Sequence, residues 1–149
     1  MRRNKWTKII DIILPAGGLG LMIFYEICDT SCTYLQGTFA GMDLKMIGIF
    51  YMVVLLALNL PAVSRRTTLV NPFRTMMLSA AMGGEVMLVR FQIVHNLYCP
   101  FCLAFGLCIL ALFAAHFPHM NKLLALVCLS TGIIVFALFF KGTVLPLYV

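Results

Sequence analysis

The sequence predicts an all-α integral membrane protein, a five-span helical bundle. Of its 149 residues, 62% are hydrophobic and 11% are charged, a balance far from that of a soluble domain. The mean hydropathy is +1.02. A membrane-spanning helix needs about 20 apolar residues, so we expect four or five spans with short connections and no soluble domain. The lipid bilayer is the expected environment.

The first span is expected at residues 9–27, after a basic start. A basic segment before an apolar run is also typical of a secretory signal. The apolar run is long, however, and Glu26 stands where a small-residue cleavage site would be expected, so we predict an uncleaved span. Pro15 and the glycines that follow it are expected to bend this helix or to let a neighbour approach closely.

The other four spans are predicted from apolar runs bounded by polar or turn-forming residues. Asn71 and Pro72 indicate a turn before the third span, and Cys99 opens the fourth. The sequence shows neither an internal repeat nor a low-complexity segment. These spans are expected at residues 44–63, 73–94, 99–117 and 123–140, and a polar redox loop is expected at residues 28–42.

The basic residues predict a cytoplasmic N-terminus. Lysine and arginine in short connections stay on the cytoplasmic side of a membrane. This orientation leaves Lys45, Arg90 and Lys141 on the opposite side. The net charge of +6 then follows from topology, and nucleic-acid binding is not expected. The basic residues expected on or near the cytoplasmic side are Arg2, Arg3, Lys5, Lys8, Arg65, Arg66, Arg74 and Lys122.

Four cysteines form two pairs, each next to the end of a predicted span. Cys28 and Cys32 follow the first span, and Cys99 and Cys102 open the fourth in the sequence Cys-Pro-Phe-Cys. Residues three apart share a helix face, so the second pair can close a small disulfide ring. The unpaired N–H groups and positive dipole end of a helix start favour a thiolate there. The predicted topology puts both pairs on the non-cytoplasmic face, where disulfides persist.

Two cysteine pairs on one face of a bundle predict a thiol–disulfide relay. Such a relay needs a mobile pair that meets an external protein and a fixed inner pair. The loop pair suits the mobile role. The pair at the helix start suits the delivery of electrons to a lipid-soluble acceptor. A quinone (ubiquinone or menaquinone) is the expected acceptor, because it takes up the two electrons that one dithiol releases.

The motif order resembles the vitamin K epoxide reductase family, including its bacterial members that oxidise thioredoxin-fold partners. The resemblance extends from the first predicted span to the fifth. The segment from Gly41 to Gly48, followed by Tyr51, is similar to the family's G-x-P-x-x-x-x-G…Y entry to span two. Thr38 falls where members carry a serine or threonine, six residues after the second loop cysteine.

Three features of the sequence depart from the family pattern. Asp43 replaces the usual proline, and the connection from Cys32 to Gly41 is shorter than in many members. Gly106 stands where the animal enzymes have a tyrosine near the quinone, which favours a bacterial thiol oxidase over an epoxide reductase. Many bacterial members also carry a fused thioredoxin-like domain. None is expected here, so the implied partner is a separate periplasmic thioredoxin-fold disulfide carrier.

The resemblance implies an enzyme of the bacterial inner membrane that supports disulfide bond formation. A reduced partner would attack the Cys28–Cys32 disulfide at Cys28. The freed Cys32 would then attack Cys99, which releases Cys102 to pass electrons to the quinone.

Several residues are candidates for the quinone site. Arg90 is the candidate cation that keeps Cys102 a thiolate, although it can equally extend to the outer interface. Glu85 lies mid-span, about 15 Å below the loop, too deep to contact Cys99 directly. It is expected in the quinone pocket, in a proton relay or, while protonated, in a helix–helix hydrogen bond. The expected quinone-binding residues are Phe101, Phe105, Arg90, Glu85 and Thr38, with Met87 as a further lining residue.

Other interpretations of these residues stay open. Cys99 and Cys102 also fit a structural disulfide or half of a zinc site, and Cys28 and Cys32 fit a simple loop disulfide. From another functional class, paired thiolates also fit transport or binding of a soft metal such as mercury or copper(I). We expect no resident metal. His95 fits either a proton shuttle or a solvated loop residue.

Two cysteines and two histidines are expected away from the chemistry. Cys108 and Cys128 lie inside predicted spans without a close partner in sequence and fit ordinary core positions. His116 and His119 fall in the connection after the fourth span, on the cytoplasmic side.

Overall fold

The computed structural model describes residues 5–27, 35–60, 70–96 and 98–144. Most of these residues lie in five helices. Three of the helical segments, Val70–His95, Pro100–His119 and Lys122–Phe139, are long and apolar enough to cross a membrane, and Ile9–Phe24 and Leu44–Asn59 are shorter apolar helices. The described residues are thus mostly helical and include three helices that could cross a membrane by length and composition. The five helices are α1 (Lys5–Ile27), α2 (Leu44–Asn59), α3 (Val70–His95), α4 (Pro100–His116) and α5 (Lys122–Phe139).

The helix ends differ from the predicted span ends for local reasons. Helix α2 ends at Asn59 rather than at residue 63, and Leu60 is extended (φ −59°, ψ 133°), because a residue that precedes a proline disfavours the helical conformation. Asn71 and Pro72 do not precede the third helix but lie in its first turn. A proline is tolerated there because its missing N–H would have no acceptor within the helix.

A small three-stranded antiparallel sheet corrects the all-α prediction. Strand β1 (Leu35–Phe39) lies between β2 (Met42–Asp43) and β3 (Phe140–Val144). Ala40 and Gly41, both with positive φ, form the tight turn from β1 to β2, and β1 pairs with β3 from Leu35↔Val144 to Phe39↔Phe140. The expected loop of residues 28–42 is therefore partly strand, and residues 28–34 lie outside the described part.

Helices α3 and α5 make the closest helix pair because glycines face each other across it. A Cβ atom at Gly83 would collide with the backbone of Leu129, and one at Gly132 would collide with the backbone of Ala80. Small residues let two helix backbones approach in this way. Helix α1 packs against both α2 and α4. The buried core consists of Met22, Met52, Leu55, Leu78, Phe105, Ile109, Leu112 and Met120.

A buried polar cluster joins four helices at one end of the bundle. Asp11 of α1 hydrogen-bonds His116 of α4 and lies 3.8 Å from Arg74 of α3 (Oδ2 to Nη1). Asn59 of α2 donates to the Asp11 carbonyl (2.9 Å), and its side-chain oxygen accepts from Arg74 (3.2 Å). His116 is thus buried within the bundle and not in a connection as predicted, because Asp11 compensates it. Arg74 lies in the third helix, as its predicted span implies, and is buried against the same carboxylate. The starts of α1 and α3 therefore meet the ends of α2 and α4.

Candidate functional site

Cys99 and Cys102 lie at the opposite end of the bundle, where α4 begins. Cys99 is the N-cap residue of α4, just before Pro100, and the fourth helix begins one residue later than predicted. The Cys99 sulfur accepts the backbone N–H of Cys102 at 3.3 Å. Both residues are free thiols, Cys99 buried at 5% exposure and Cys102 half-buried. The first turn of α4 thus holds the two sulfurs on one face, as the spacing predicted.

The hydrogen bonds at this helix start stabilise a thiolate on Cys99. The Cys102 thiol donates to the Cys99 sulfur, and the backbone N–H groups of Cys102 and Phe101 also point to it. Together they outweigh burial and lower the pKa of Cys99 to about 6. Cys99 precedes α4, and the hydrogen bonds at this helix start favour its thiolate. The direction agrees with the sequence argument, although the neighbouring thiol is the largest cause.

Gln92 fixes the backbone of Cys99, and the sequence argument missed it. Its side-chain oxygen accepts the Cys99 N–H at 3.1 Å, and the side chain is 1% exposed. Leu78, Glu85 and Gln92 are spaced by seven residues, so they share the inner face of α3. A glutamine two turns after a buried glutamate was the signal in the sequence, since both are polar residues on an apolar face.

An apolar cavity of about 390 Å³ opens beside Cys102. Phe101, Cys102 and Phe105 reach it from the first turns of α4, and Tyr51 reaches it from α2. The Tyr51 hydroxyl donates to the Met77 carbonyl at 3.3 Å. The full set of described lining residues is Met22, Gly37, Asp43, Leu44, Lys45, Ile47, Gly48, Tyr51, Met77, Ala80, Ala81, Leu88, Phe101, Cys102, Phe105, Ile109, Phe136 and Phe140.

The predicted quinone-binding residues divide into two groups. Phe101 and Phe105 line the cavity, as expected. Arg90 is exposed on α3 and does not line the cavity, because the inner face of α3 is the one that carries Glu85 and Gln92. Thr38 also lies outside the lining; it belongs to β1, and its hydroxyl donates to the Lys141 carbonyl at 3.4 Å. Met87 is half-buried and is likewise not a lining residue.

Glu85, also predicted for the quinone site, is buried and is not a lining residue of the cavity. Glu85 is 7% exposed, and its carboxyl interacts electrostatically with both Tyr51 and Cys102. The carboxyl is seated over Gly106 of α4, where a Cβ atom would lie 2.7 Å from Oε2. Gly106 therefore makes the space for this carboxyl. Any larger residue there, such as the tyrosine of the animal enzymes, would displace Glu85.

Asp43 and Lys45 are the charged residues among the described lining residues. One Asp43 oxygen accepts the backbone N–H of Lys45 at 3.3 Å and caps α2. The other lies 3.6 Å from the Lys45 ammonium. The sequence argument sought the cation on α3, but the cation at the cavity comes from the start of α2.

The end of α1 meets the start of α4 beside the cysteines. The rings of Phe24 and Phe101 are 6.0 Å apart between centroids. Cys28 follows Ile27, the last residue of α1, in the sequence. Cys28 and Cys32 themselves lie outside the described residues, so their predicted role stays a prediction.

The remaining candidates lie apart from the sulfurs of Cys99 and Cys102. His95 is exposed, its ring Nδ1 is 3.0 Å from the Phe91 carbonyl, and its ring packs against that of Phe91. Cys108 and Cys128 are half-buried free thiols within α4 and α5. Within residues 5–27, 35–60, 70–96 and 98–144, no three His, Cys, Asp or Glu side chains form a group that could hold a metal ion.

Comparison with known proteins assigns no family to the chain. No protein-family model matches it, and no curated protein matches it. The function is therefore argued from the chemistry of the residues.

Proposed function

We propose that this protein is a membrane thiol–disulfide oxidoreductase of the vitamin K epoxide reductase type. It passes electrons from a reduced thioredoxin-fold protein through two cysteine pairs to a membrane quinone. The observation that carries the proposal is the position of Cys102, the second cysteine of a C-x-x-C pair, in the wall of an apolar cavity.

The cavity fits a quinone ring in size and chemistry. Small-molecule sites typically have volumes of roughly 300–1,000 Å³ and walls that are mostly apolar and aromatic. This one measures about 390 Å³ and includes Tyr51, Phe101 and Phe105. Flat aromatic walls favour a flat conjugated ring. Ubiquinone and menaquinone both carry such a ring and reach the site from the bilayer.

The two cysteines of the pair have different roles. Cys99, with its lowered pKa, is the sulfur that forms the mixed disulfide when Cys32 attacks and the sulfur that later closes the ring. Cys102 faces the cavity and delivers the electrons. Closing the disulfide from the Cys99 thiolate and the Cys102 thiol releases two electrons and one proton, and solvent supplies a second proton. A bound quinone would be the acceptor of the two electrons and two protons.

The contact between Phe24 and Phe101 supports a relay between the two cysteine pairs. It places the helix end that precedes Cys28 beside the helix start that carries Cys99 and Cys102. We assign this end to the periplasmic side of a bacterial inner membrane and the N-terminus to the cytoplasm, from the basic residues near the other helix ends. All five helices span the membrane in this arrangement.

Glu85 is assigned to proton transfer. Its carboxyl lies behind the cavity wall and interacts with Cys102 and Tyr51. Ionisable groups buried among membrane helices commonly serve proton relays, because an unpaired charge there is costly. The two protons must reach the quinone oxygens, and Glu85 is placed to hold one of them.

The test is turnover with defined components. The purified protein in lipid nanodiscs is mixed with a reduced thioredoxin-fold protein and decylubiquinone or menadione, and quinone absorbance is followed. Cys102→Ser should abolish quinone reduction. Cys108→Ser, in the same helix but away from the cavity, should keep the wild-type rate. Full activity of Cys102→Ser would refute the assignment of the electron-delivering sulfur. Reduced, metal-loaded thiols in native membranes would instead support the soft-metal alternative.

A further inference from the structure

The charged part of the cavity wall comes from the first turn of α2. Lys45, Gly48 and Tyr51 follow at intervals of three residues, and all three line the cavity. The Gly48 position is close to Phe105, since a Cβ there would lie 3.5 Å from the Phe105 ring. The wall is therefore largely apolar and aromatic, contains Cys102, and has Lys45 as the positively charged residue among those described.

We propose that Lys45 is the residue that binds a quinone oxygen and stabilises the negative charge the oxygen acquires on reduction. This inference rests on the proposed function and names the residue that stabilises the charge on the quinone oxygen. An ammonium near an oxygen that gains charge stabilises the reduced state more than the oxidised one, and a partly water-excluded site strengthens the effect.

Asp43 holds Lys45 in place and moderates its charge. The same carboxylate caps α2 through the Lys45 N–H and pairs with its ammonium 3.6 Å away. The Lys45 side chain is 32% exposed and that of Asp43 51% exposed, so the pair lies at the mouth of the cavity and not deep inside it. Asp43 replaces the proline of the family motif. Asp43 thus supplies both the N-cap of α2 and the partner of the Lys45 ammonium.

The chemistry of the step requires a positively charged group beside the quinone oxygen. Oxidation of the Cys99 thiolate and the Cys102 thiol forms one S–S bond, breaks one S–H bond and releases two electrons and one proton, and solvent supplies a second proton. The quinone takes up the two electrons and the two protons and becomes a hydroquinone. Electrons arriving ahead of protons leave negative charge on an oxygen. Lys45 hydrogen-bonds that oxygen until the proton arrives.

The first experiment measures binding without turnover. Calorimetric titration of Cys102→Ser protein with decylubiquinone gives the affinity in the presence and absence of a second substitution. Lys45→Met should weaken quinone binding by about 10- to 100-fold, which corresponds to the loss of a charged hydrogen bond. In protein with both cysteines, it should lower kcat/KM for the quinone by about the same factor. Lys45→Arg should restore most of both. Arg90→Met, which removes the exposed cation of α3, should change neither.

The second experiment separates a charge role from a structural one. Asp43→Asn keeps an N-cap side chain but removes the negative charge next to Lys45. The proposal predicts that Asp43→Asn loses far less quinone reduction than Lys45→Met, because the ammonium is retained and the helix cap is kept. A pair needed only for folding predicts that Asp43→Asn and Lys45→Met are impaired alike, and that result would overturn the proposal.

The outcomes for Lys45 and for the relay are distinguishable. If Lys45→Met binds and reduces quinone like the wild type while Cys102→Ser is inactive, the role of Lys45 is refuted and the relay stands. If Cys102→Ser retains full activity, the proposed function itself is refuted. Exchange between the thioredoxin-fold protein and the loop cysteines should be unchanged in Lys45→Met, since Lys45 acts only at the quinone.

Discussion

Replacing Gln92 with methionine tests whether α3 positions the reactive cysteine. The Gln92 side chain is 1% exposed, and its oxygen is the acceptor for the N–H of Cys99 at 3.1 Å. Methionine has nearly the same length and volume but offers no comparable acceptor. The substitution therefore removes one hydrogen bond with little change in packing.

The expected cost follows from the burial of the donor. A buried backbone N–H that loses its acceptor costs about 1–3 kcal/mol, so the free energy of unfolding of Gln92→Met should fall by that amount. Cys99 should also lose reactivity, because its sulfur accepts the Cys102 N–H only while its backbone stays at the N-cap position. The apparent pKa of Cys99 should then rise from about 6 towards the usual range.

Two measurements and two further variants complete the test. Unfolding in detergent micelles gives the stability, and the pH dependence of iodoacetamide alkylation gives the apparent pKa of Cys99. Gln92→Glu retains an acceptor oxygen and should recover much of the lost stability. Ile93→Met, at an exposed neighbouring position, should stay within about 0.5 kcal/mol of the wild type. A Gln92→Met protein with wild-type stability and an unchanged alkylation profile would refute the positioning role.

Three further predictions concern the thiol pair, the closest helix contact and the buried polar cluster. Cys102→Ala should raise the pKa of Cys99 above about 6, because it removes the thiol that donates to the thiolate. Alkylation of Cys99 at pH 7, measured with the other cysteines replaced by serine, should therefore slow. An unchanged alkylation profile would contradict this. Gly132→Ala should destabilise the protein by about 1–3 kcal/mol, because the new Cβ collides with the backbone of α3. Gly20→Ala should not destabilise it, because the Cβ there meets open space. Equal unfolding free energies of the two variants would contradict the close approach of α3 and α5. Arg74→Met should cost about 3–5 kcal/mol in unfolding measurements, because it removes one partner of a buried ion pair with Asp11. A cost below about 1 kcal/mol would contradict that ion pair.

Helices and the position of the C-x-x-C pair were predictable because local pattern determines them. Long apolar runs predicted all five helices to within a few residues of their ends. Cys99 and Cys102 are predicted at a helix start because a polar connection gives way there to a long apolar run. Their spacing alone then brings both sulfurs to one face.

Contacts between distant segments were not predictable in the same way. Strands β1 and β3 lie about a hundred residues apart in sequence and are only five residues long, so neither has a pattern that stands out locally. Arg90 was chosen for its distance along the third span. Distance along a helix does not give the direction in which a side chain points, and Lys45 from α2 reaches the cavity instead.

The buried charges show a second limit of sequence reasoning. The apolar run that contains Asp11 gives no sign of its partners, Arg74 is predicted only to lie near the cytoplasmic end of the third span, and His116 is predicted in a connection. Each is costly to bury alone, and only the fold shows that they compensate one another. The position of Glu85 over Gly106 was equally unpredictable from the sequence. A glycine in an apolar helix does not reveal which side chain fills the space above it.

A single-turnover reaction tests the central claim most directly. Reduced protein in which Cys28 and Cys32 are replaced by serine is mixed anaerobically with decylubiquinone, and the products are quantified by quinone absorbance and by mass spectrometry of the cysteine peptides. The account predicts one hydroquinone per chain, together with a Cys99–Cys102 disulfide. Thiols that stay reduced while the quinone remains oxidised would contradict it.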